Sequence, residues 1–152
     1  MSNSMRRSAR SLIGAALVVT SATLSACLQS TAPQASVQNL NGSWTYTGTQ
    51  FAPVRENLSG TLNVSRESGI SFQGSLDLVG VNAQTQMSRV FPRGSVSGSA
   101  PGSNVIDFDA SVETTPRRHV GQIVADTIAG TWVGSEPDGS MSSGTFRLER
   151  IK

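Results

Sequence analysis

Apolar and small polar residues alternate along most of the chain after residue 40. A short unit recurs, consisting of glycine, then Ser or Thr, then a large or β-branched apolar residue. Its copies begin at Gly42, Gly60, Gly74, Gly94, Gly130 and Gly144. Alternation with a period of two is typical of β-strands with one buried face. The glycine and the apolar residue share one face, so we expect small and large side chains to alternate inside a barrel.

The pattern divides into eight predicted strands. They cover residues 42–50, 58–66, 69–79, 93–99, 104–113, 117–124, 127–134 and 142–150. Turn-forming pairs such as Pro101-Gly102 and Asp138-Gly139 support the breaks between them. The regular spacing predicts an all-β fold, an eight-stranded antiparallel up-and-down barrel that leaves no sheet edge exposed. A two-sheet β-sandwich is the alternative.

The predicted connections differ in length in a regular way. Those at 67–68, 100–103 and 125–126 are short, whereas those at 51–57, 80–92 and 135–141 are long. Alternate connections of an up-and-down barrel lie at the same end. The sequence therefore predicts one tight end and one loop-rich end, and binding residues of a rigid scaffold usually lie on the longer loops.

The start of the chain has a different pattern. Arg6, Arg7 and Arg10 precede a short apolar run, and small residues come just before Cys27, which is the only cysteine. A positive start, a short apolar run and small residues before a cleavage point are typical of a secretory signal peptide. The run is also too short to span a bilayer. We therefore predict a signal peptide at residues 1–26.

Leu24-Ser25-Ala26-Cys27 resembles the lipobox of bacterial lipoproteins. The resemblance implies that the Cys27 thiol carries diacylglycerol and that its amino group is acylated after cleavage. Two or three acyl chains anchor a protein firmly in a membrane. Residues 27–39 would then be the lipidated cysteine and a flexible tether, because the segment is rich in Ser, Thr, Gln and Pro. Residues 40–152 would form a single β domain.

These features predict a protein of the cell envelope that lies outside the cytoplasm and is held to a membrane by lipid. The residue after Cys27 is Leu28 rather than the Asp that retains similar lipoproteins at the inner membrane. We therefore expect the outer membrane, where the organism has one. The tether enters at the tight end, so the loop-rich end should face away from the membrane.

Composition limits the possible partners. The formal net charge is +2, but three of the 12 Lys and Arg residues lie in the predicted signal, which leaves nine against ten acidic residues. A broad positive field for nucleic acid is therefore not expected. With a single cysteine, no internal disulfide can form, so packing and strand pairing must hold the domain together.

The first and last predicted strands carry a second resemblance. Gly42-Ser43-Trp44 begins the first strand, and Phe146-Arg147-Leu148-Glu149-Arg150 ends the last. These segments resemble the calycins, the group of barrels that includes lipocalins and avidins. In that group an Arg near the end of the last strand packs across the Trp of a Gly-x-Trp motif. The resemblance implies a cation–π contact between Arg150 and Trp44, worth about 0.5–2 kcal/mol.

Four aromatic residues are candidate ligand contacts: Trp44, Tyr46, Trp132 and Phe146. They predict a pocket for a small apolar ligand or, as the alternative, a packed barrel floor, because an eight-stranded barrel is near the size that side chains just fill. A second apolar set lies in the predicted long loops, at Phe51, Val54, Val81, Met87 and Phe91. This set predicts either a mouth or protein contact, or a cap that folds back onto the barrel.

Charged residues are also concentrated towards the loop-rich end. The cationic ones are Arg55, Arg89, Arg93, Arg117 and Arg118, next to His119, and the acidic ones are Glu56, Glu113, Glu136 and Asp138. Because both signs are present, they predict a solvated rim of mixed charge. A site that attracts an anionic ligand or partner is the alternative.

The sequence lacks an arrangement typical of catalysis or metal binding. His119 is the only histidine, which disfavours a zinc site. Ser97 lies within a predicted strand, away from the strand-to-helix turn of a nucleophile elbow. We therefore expect a non-enzymatic protein without a cofactor that binds a small apolar ligand. The alternative is an interaction, structural or inhibitor module that contacts an envelope protein through the loop-rich end.

Overall fold

The computed structural model describes residues 39–102 and 104–152, without the side chain of Arg66. The predicted signal peptide, Cys27 and the predicted tether to residue 38 lie outside the described residues. The predictions of a signal, a lipid anchor and domain boundaries therefore stay predictions. Within the described ranges the regular elements are all β-strands, and no helix there is long and apolar enough to cross a membrane.

Nine strands are present in the described residues. They are β1 (Gly42–Ala52), β2 (Glu56–Ser68), β3 (Ser71–Asn82), β4 (Ser88–Val90), β5 (Gly94–Ser99), β6 (Val105–Val112), β7 (Thr115–Val124), β8 (Thr127–Ser135) and β9 (Met141–Arg150). The sheet follows the order β2-β1-β9-β8-β7-β6-β5-β3, and the pairing of β2 with β3 closes it. The eight strands of this ring form an antiparallel up-and-down barrel. The predicted barrel is confirmed, and the sandwich alternative is wrong.

The short strand β4 makes the predicted 80–92 loop smaller than expected. β3 continues to Asn82, and β4 runs back along it opposite residues 79–81. The Asn82 side chain accepts hydrogen bonds from the backbone amides of Gln84 and Thr85, each at 2.9 Å. Side chains of this type stabilise tight turns by bonding to nearby backbone groups. The turn after Asn82 therefore reverses the chain where the sequence predicted an open loop.

Large inward side chains lie opposite glycines on neighbouring strands. Trp132 pairs with Gly144, and Phe146 pairs with both Gly48 and Gly130. A Cβ atom at Gly144 would lie 2.7 Å from two carbons of the Trp132 ring. These glycines therefore make room for the rings of their neighbours, and side chains fill the interior, as an eight-stranded barrel allows.

Trp44 and Arg150 close the tight end of the barrel. They are direct partners in the pairing of β1 with β9, and the guanidinium carbon lies 4.2 Å from the centre of the indole ring. The predicted contact between them is confirmed. The indole N–H of Trp44 donates to the carbonyl of Leu40 at 2.9 Å. Arg150 donates to the carbonyls of Asn39 and Asn41, so backbone oxygens satisfy both side chains.

Candidate functional site

The structure places the four predicted ligand residues on the inward face of the barrel, and all four are buried. They lie at different heights. Trp44 is at the tight end, whereas Trp132 is near the loop-rich end, and Tyr46 stacks on Phe146 between them with ring centroids 6.2 Å apart. In this structure they belong to the packed core. Their role in ligand binding stays a prediction.

His119 connects the aromatic rings at the centre of the barrel. Its ring centroid is 4.5 Å from that of Phe108, 5.1 Å from that of Phe146 and 6.1 Å from that of Trp132. The Phe108 ring is nearly parallel to it, and the Phe146 ring meets it edge-on. Both are favourable geometries for aromatic pairs. Side chains therefore occupy the middle of the barrel without a break from Tyr46 to Trp132.

Two hydrogen bonds fix the protonation of His119. Nδ1 lies 2.9 Å from the carbonyl oxygen of Arg117, and Nε2 lies 3.2 Å from the hydroxyl of Tyr46. A carbonyl only accepts, so Nδ1 donates its proton and Nε2 accepts the Tyr46 hydroxyl proton. Burial lowers the pKa of His119 from 6.5 to about 4, and burial raises the pKa of Tyr46 well above its ordinary value. Both side chains are therefore neutral at pH 7.

The assignment of Arg117 and His119 to a solvated rim was wrong. Their exposed fractions are 2% and 1%, because both point inward from β7. The outward positions of β7 include Val120 and Val124, which are 43% and 68% exposed. Each residue that points inward from β7 pairs with residues that point inward from β6 and β8. His119, for example, pairs with Trp132. Pairing with the neighbouring strands, rather than the polarity of the side chain, decides which face of β7 is buried.

Arg117 is a buried cation near the loop-rich end. Its Nη2 donates to Oε1 of Glu136 at 2.8 Å, and its Nη1 donates to Oε1 of Gln50 at 3.2 Å. Its guanidinium carbon lies 4.7 Å from the centre of the Trp132 ring. Burial lowers the pKa of Arg117, and the nearby Glu136 carboxylate opposes that effect. An ion pair in this setting is stable only because further contacts surround the charge.

Three buried polar atoms around Arg117 have no hydrogen-bond partner within the part of the chain that the structure describes. They are Nε of Arg117, Nε1 of Trp132 and Oγ of Ser142. Arg117 and Ser142 both pair with Gly134, and Trp132 lies one inward row below. A buried polar group without a partner costs about 1–3 kcal/mol. Hydrogen-bonding capacity is therefore left unused at this end of the core.

Above Arg117 the barrel opens into a cleft of about 410 Å³, termed here the mouth cleft. Its lining residues are Gln50, Pro53, Val54, Glu56, Asn82, Arg89, Glu113, Glu136, Pro137 and Asp138. Gln50 and Glu136 also hold Arg117, so this buried cation lies directly beneath the floor of the cleft. Among residues 39–102 and 104–152, no group of three His, Cys, Asp or Glu side chains is placed to hold a metal ion.

Arg89 of β4 contacts three carboxylates in the mouth cleft. Its Nη2 lies 2.9 Å from Glu56 and 3.6 Å from Glu136, and its Nη1 lies 3.6 Å from Glu113. The guanidinium carbon is 4.3 Å from the centre of the Phe91 ring. Arg89 and these three carboxylates therefore form an ordered network over an aromatic face, whereas Arg93 and Arg118 are exposed and pair with Asp77 and Asp107 outside it.

The apolar loop residues divide between the two predicted alternatives. Phe91 is buried and folds back as part of the cap, and Val81 is half-buried. Phe51, Val54 and Met87 remain exposed. Together with Val90 and Met141, which the sequence analysis did not single out, they form what we term the mouth rim. Val54 lines the cleft, and the other four lie at or next to the ends of β1, β4 and β9.

Comparison with solved structures shows that other proteins have the same barrel fold. No protein-family description and no curated protein matches this chain. Among solved structures, it is similar to EF1p2_mFAP2b bound to DFHBI, with a TM-score of 0.59 and 13% identity over 74% of this chain and 94% of that one. It is also similar to mFAP1, a redesigned β-barrel bound to DFHBI, with a TM-score of 0.55 and 15% identity over 77% of this chain and 98% of that one.

A natural protein shares the architecture as well. It is the S-type phycobiliprotein lyase CPES from Guillardia theta, with a TM-score of 0.50 and 6% identity over 74% of this chain and 89% of that one. Sequence identities this low establish the barrel fold alone. The resemblances to lipocalins, avidins and bacterial lipoproteins rest on the sequence motifs given above.

Proposed function

We propose that this protein is a non-enzymatic lipoprotein of the bacterial cell envelope that is anchored through Cys27 and binds a partner protein through the mouth rim and mouth cleft. One observation carries the proposal, namely the contrast between the interior and the loop-rich end. Aromatic rings occupy the interior, whereas the loop-rich end combines an open cleft with exposed apolar side chains. Protein interfaces commonly combine apolar side chains, which become buried in the contact, with polar and charged groups around them.

The position of the chain entry supports the predicted orientation. Asn39 and Leu40 lie beside Arg150 and Trp44 at the tight end. A lipid on Cys27 would therefore hold the tight end towards the membrane. The mouth rim would then face away from the bilayer, where an envelope protein can reach it.

The proposal is tested by comparing two exposed valines in capture experiments on bacterial envelopes with chemical cross-linking. Val90 is on the mouth rim and 78% exposed, whereas Val124 is on the outer wall and 68% exposed. Val124 lines a separate wall groove of about 690 Å³. We expect Val90→Lys to abolish capture of a specific partner, because a lysine disrupts an apolar contact, and Val124→Lys to leave it intact. Capture that survives Val90→Lys, or that Val124→Lys abolishes, would contradict the proposal.

A small apolar ligand inside the barrel is the second candidate function. The observation that favours it is the likeness to barrels that were solved with DFHBI bound. In this chain such a ligand would have to displace the rings of Trp132, Phe146 or Tyr46, which now contact one another through His119. If a ligand is found, Trp44→Phe and Trp132→Phe should each change its affinity. Unchanged affinity in both variants would count against this candidate.

A further inference from the structure

We propose that the tight end of the barrel inserts three apolar side chains, those of Ile70, Val124 and Ile151, into the interface of the phospholipid bilayer that holds the lipid on Cys27. The inference rests on the proposed function, because the lipid anchor brings the domain to the membrane. It adds a second contact with the bilayer, which the β domain makes itself. The barrel would then have one orientation on the membrane, with the mouth rim pointing away from it.

The three apolar side chains are exposed to solvent in the structure. Their exposed fractions are 51% for Ile70, 68% for Val124 and 49% for Ile151. Ile70 lies in the turn between β2 and β3, Val124 ends β7, and Ile151 follows β9. Around the ring these strands are connected in the order β3-β2-β1-β9-β8-β7. The three side chains therefore follow one part of the edge of the tight end, and we term them the tight rim. A group of exposed apolar side chains at one place marks a contact surface.

The chain enters the domain beside the tight rim. The amide of Leu40 donates to Oε2 of Glu67, near the turn between β2 and β3, at 3.1 Å. The amide of Ile151 donates to the carbonyl of Ser43 at 2.9 Å. The segment 27–38, which precedes the described residues, spans at most about 40 Å when it is fully extended. A lipid on Cys27 therefore keeps the tight rim close to the bilayer, and a contact that would be weak alone forms because its partner is already nearby.

The charged side chains next to the tight rim neutralise one another in pairs. The Asp126 carboxylate lies 3.7 Å from Nε of Arg150 and 3.5 Å from Nζ of Lys152. Arg147 donates to Glu149 at 2.8 Å. Long basic side chains can also keep their charged ends in the headgroup region while their stems lie against apolar groups. The apolar side chains, rather than a net charge, therefore supply the contact, and a zwitterionic phospholipid is sufficient.

The two tryptophans report which end of the barrel touches the bilayer. Trp44 pairs with Arg150, the residue before Ile151. Trp132 lies along β8 from the turn at Asp126, a distance of about 20 Å at about 3.3 Å per residue. Apolar faces that bind at a membrane interface enter it by about 5–10 Å. Insertion of the tight rim therefore brings Trp44 close to the acyl chains and leaves Trp132 outside them.

The test uses the lipidated protein as bacteria produce it, reconstituted into phosphatidylcholine vesicles whose acyl chains carry bromine near the headgroup. Bromine quenches tryptophan fluorescence only at close range. The Trp132→Phe variant reports on Trp44, and the Trp44→Phe variant reports on Trp132. We expect the brominated lipid to reduce the fluorescence of Trp44 and to leave that of Trp132 unchanged.

Surface variants locate the contact. The double variant Val124→Lys/Ile151→Lys should lose the quenching of Trp44, because lysine ammonium groups resist transfer to the acyl region. Val120→Lys is the matched control, because Val120 is on the same strand and 43% exposed but lies outside the tight rim. Its quenching should equal that of the unchanged protein. The lipid on Cys27 is unaffected in these variants, so all of them should remain with the vesicles.

A second measurement leaves the aromatic core unaltered. An environment-sensitive dye is attached to Val124→Cys or to Val90→Cys, and Cys27 does not react because its sulfur carries the lipid. We expect the emission of the dye to shift to shorter wavelength in vesicles for Val124→Cys only. Val90→Cys places the dye on the mouth rim, at a residue that is 78% exposed, and its emission should not shift.

The inference is overturned if Trp44 is not quenched, if Val124→Lys/Ile151→Lys leaves the quenching unchanged, or if the dye on Val124→Cys does not shift. These results leave the proposed function intact, provided that the vesicles retain the protein and Val90→Lys abolishes capture of the partner. If the unchanged protein does not remain with the vesicles, the lipid anchor is wrong and the inference fails with it. Quenching of Trp132 in place of Trp44 would put the mouth rim on the bilayer and would overturn both proposals.

Discussion

An arginine lies over a tryptophan at each end of the barrel, and the two pairs differ in what surrounds them. At the tight end, Arg150 is 4.2 Å above Trp44. At the loop-rich end, Arg117 is 4.7 Å above Trp132. Both members of the first pair donate hydrogen bonds to backbone carbonyls, and the Asp126 carboxylate lies 3.7 Å from Nε of Arg150. The second pair depends on Glu136 and Gln50, and an N–H of each member has no partner in the described residues.

The difference assigns separate roles to the two ends. The Arg150–Trp44 pair has no unpartnered buried polar atom in the described residues, and it closes the barrel. A pair that retains unused donors beneath an open cleft is costly for stability alone. Sites that break the rules of stable packing are often functional sites. The contrast between the two arginine–tryptophan pairs therefore agrees with the proposal that the tight end stabilises the fold and that the loop-rich end binds a partner.

The largest expected effect comes from removing the buried cation. Arg117→Met leaves the carboxylate of Glu136 without its closest partner, so we expect the free energy of unfolding to fall by ~3–5 kcal/mol in urea titrations. The double variant Arg117→Met/Glu136→Gln should recover part of this loss, because no uncompensated charge remains. A loss below 1 kcal/mol, on the order of an exposed ion pair, would show that Arg117 is not a buried ion.

The second effect is a dependence of the free energy of unfolding on pH, which originates at His119 in the centre of the barrel. Burial lowers the pKa of His119 to about 4 from 6.5. Between these values the unfolded chain binds a proton that the folded chain does not. The stabilisation that neutral His119 provides is therefore complete above pH 6.5 and falls as the pH drops towards 4, by about 3 kcal/mol in total. Urea titrations across this range measure it. The His119→Gln variant should lose the slope between pH 6.5 and 4.5, and a slope that persists would assign it to other groups.

A smaller effect is expected at the tight end. Arg150→Met removes a cation–π contact and hydrogen bonds to backbone carbonyls, which together should reduce the free energy of unfolding by ~1–2 kcal/mol. Urea titration followed by tryptophan fluorescence measures it. If Arg150→Met is as damaging as Arg117→Met, the proposed difference between the ends is wrong.

The smallest effects compare one serine from each end. Ser43 donates to Asn63 at 2.7 Å, so Ser43→Ala should cost about 1 kcal/mol. Ser142 has no partner in the described residues, so Ser142→Ala should change the free energy of unfolding by less than about 0.5 kcal/mol or should stabilise the fold slightly. The unfolding temperatures of the two variants, measured side by side with that of the unchanged protein, test this prediction. A larger loss for Ser142→Ala would mean that its hydroxyl is bonded after all.

Local signals were enough to predict the barrel and its tight end. The repeated glycine unit marks strands with a period of two, and the first and last strands of a closed barrel must meet, which brings Trp44 to Arg150. β7 shows where the polarity of single residues misleads. Val120 and Val124 suggest one buried face, yet the other face is buried. Gly121 shares that face with His119, and the rule that glycines point inward could have identified it.

The mouth cleft could not be predicted, because its contacts join distant parts of the chain. Arg89 meets Glu56, Glu113 and Glu136 only through strand pairing around the closed ring. The alternation does indicate that Gln50 shares a face with Tyr46, and Ser142 with Phe146. Polar residues at the ends of inward rows were therefore visible. Which residues they contact depends on the register of neighbouring strands, and no local sequence pattern specifies that register.

Native mass spectrometry of the protein, purified gently from bacteria, tests most directly whether the interior is a core and the loop-rich end is the binding site. We predict the mass of residues 27–152 with the covalent lipid and nothing else, because aromatic side chains already occupy the barrel. A reproducible extra mass of a few hundred daltons that denaturation releases, and that persists in Val90→Lys, would contradict the account. Such a result would place a ligand inside the barrel.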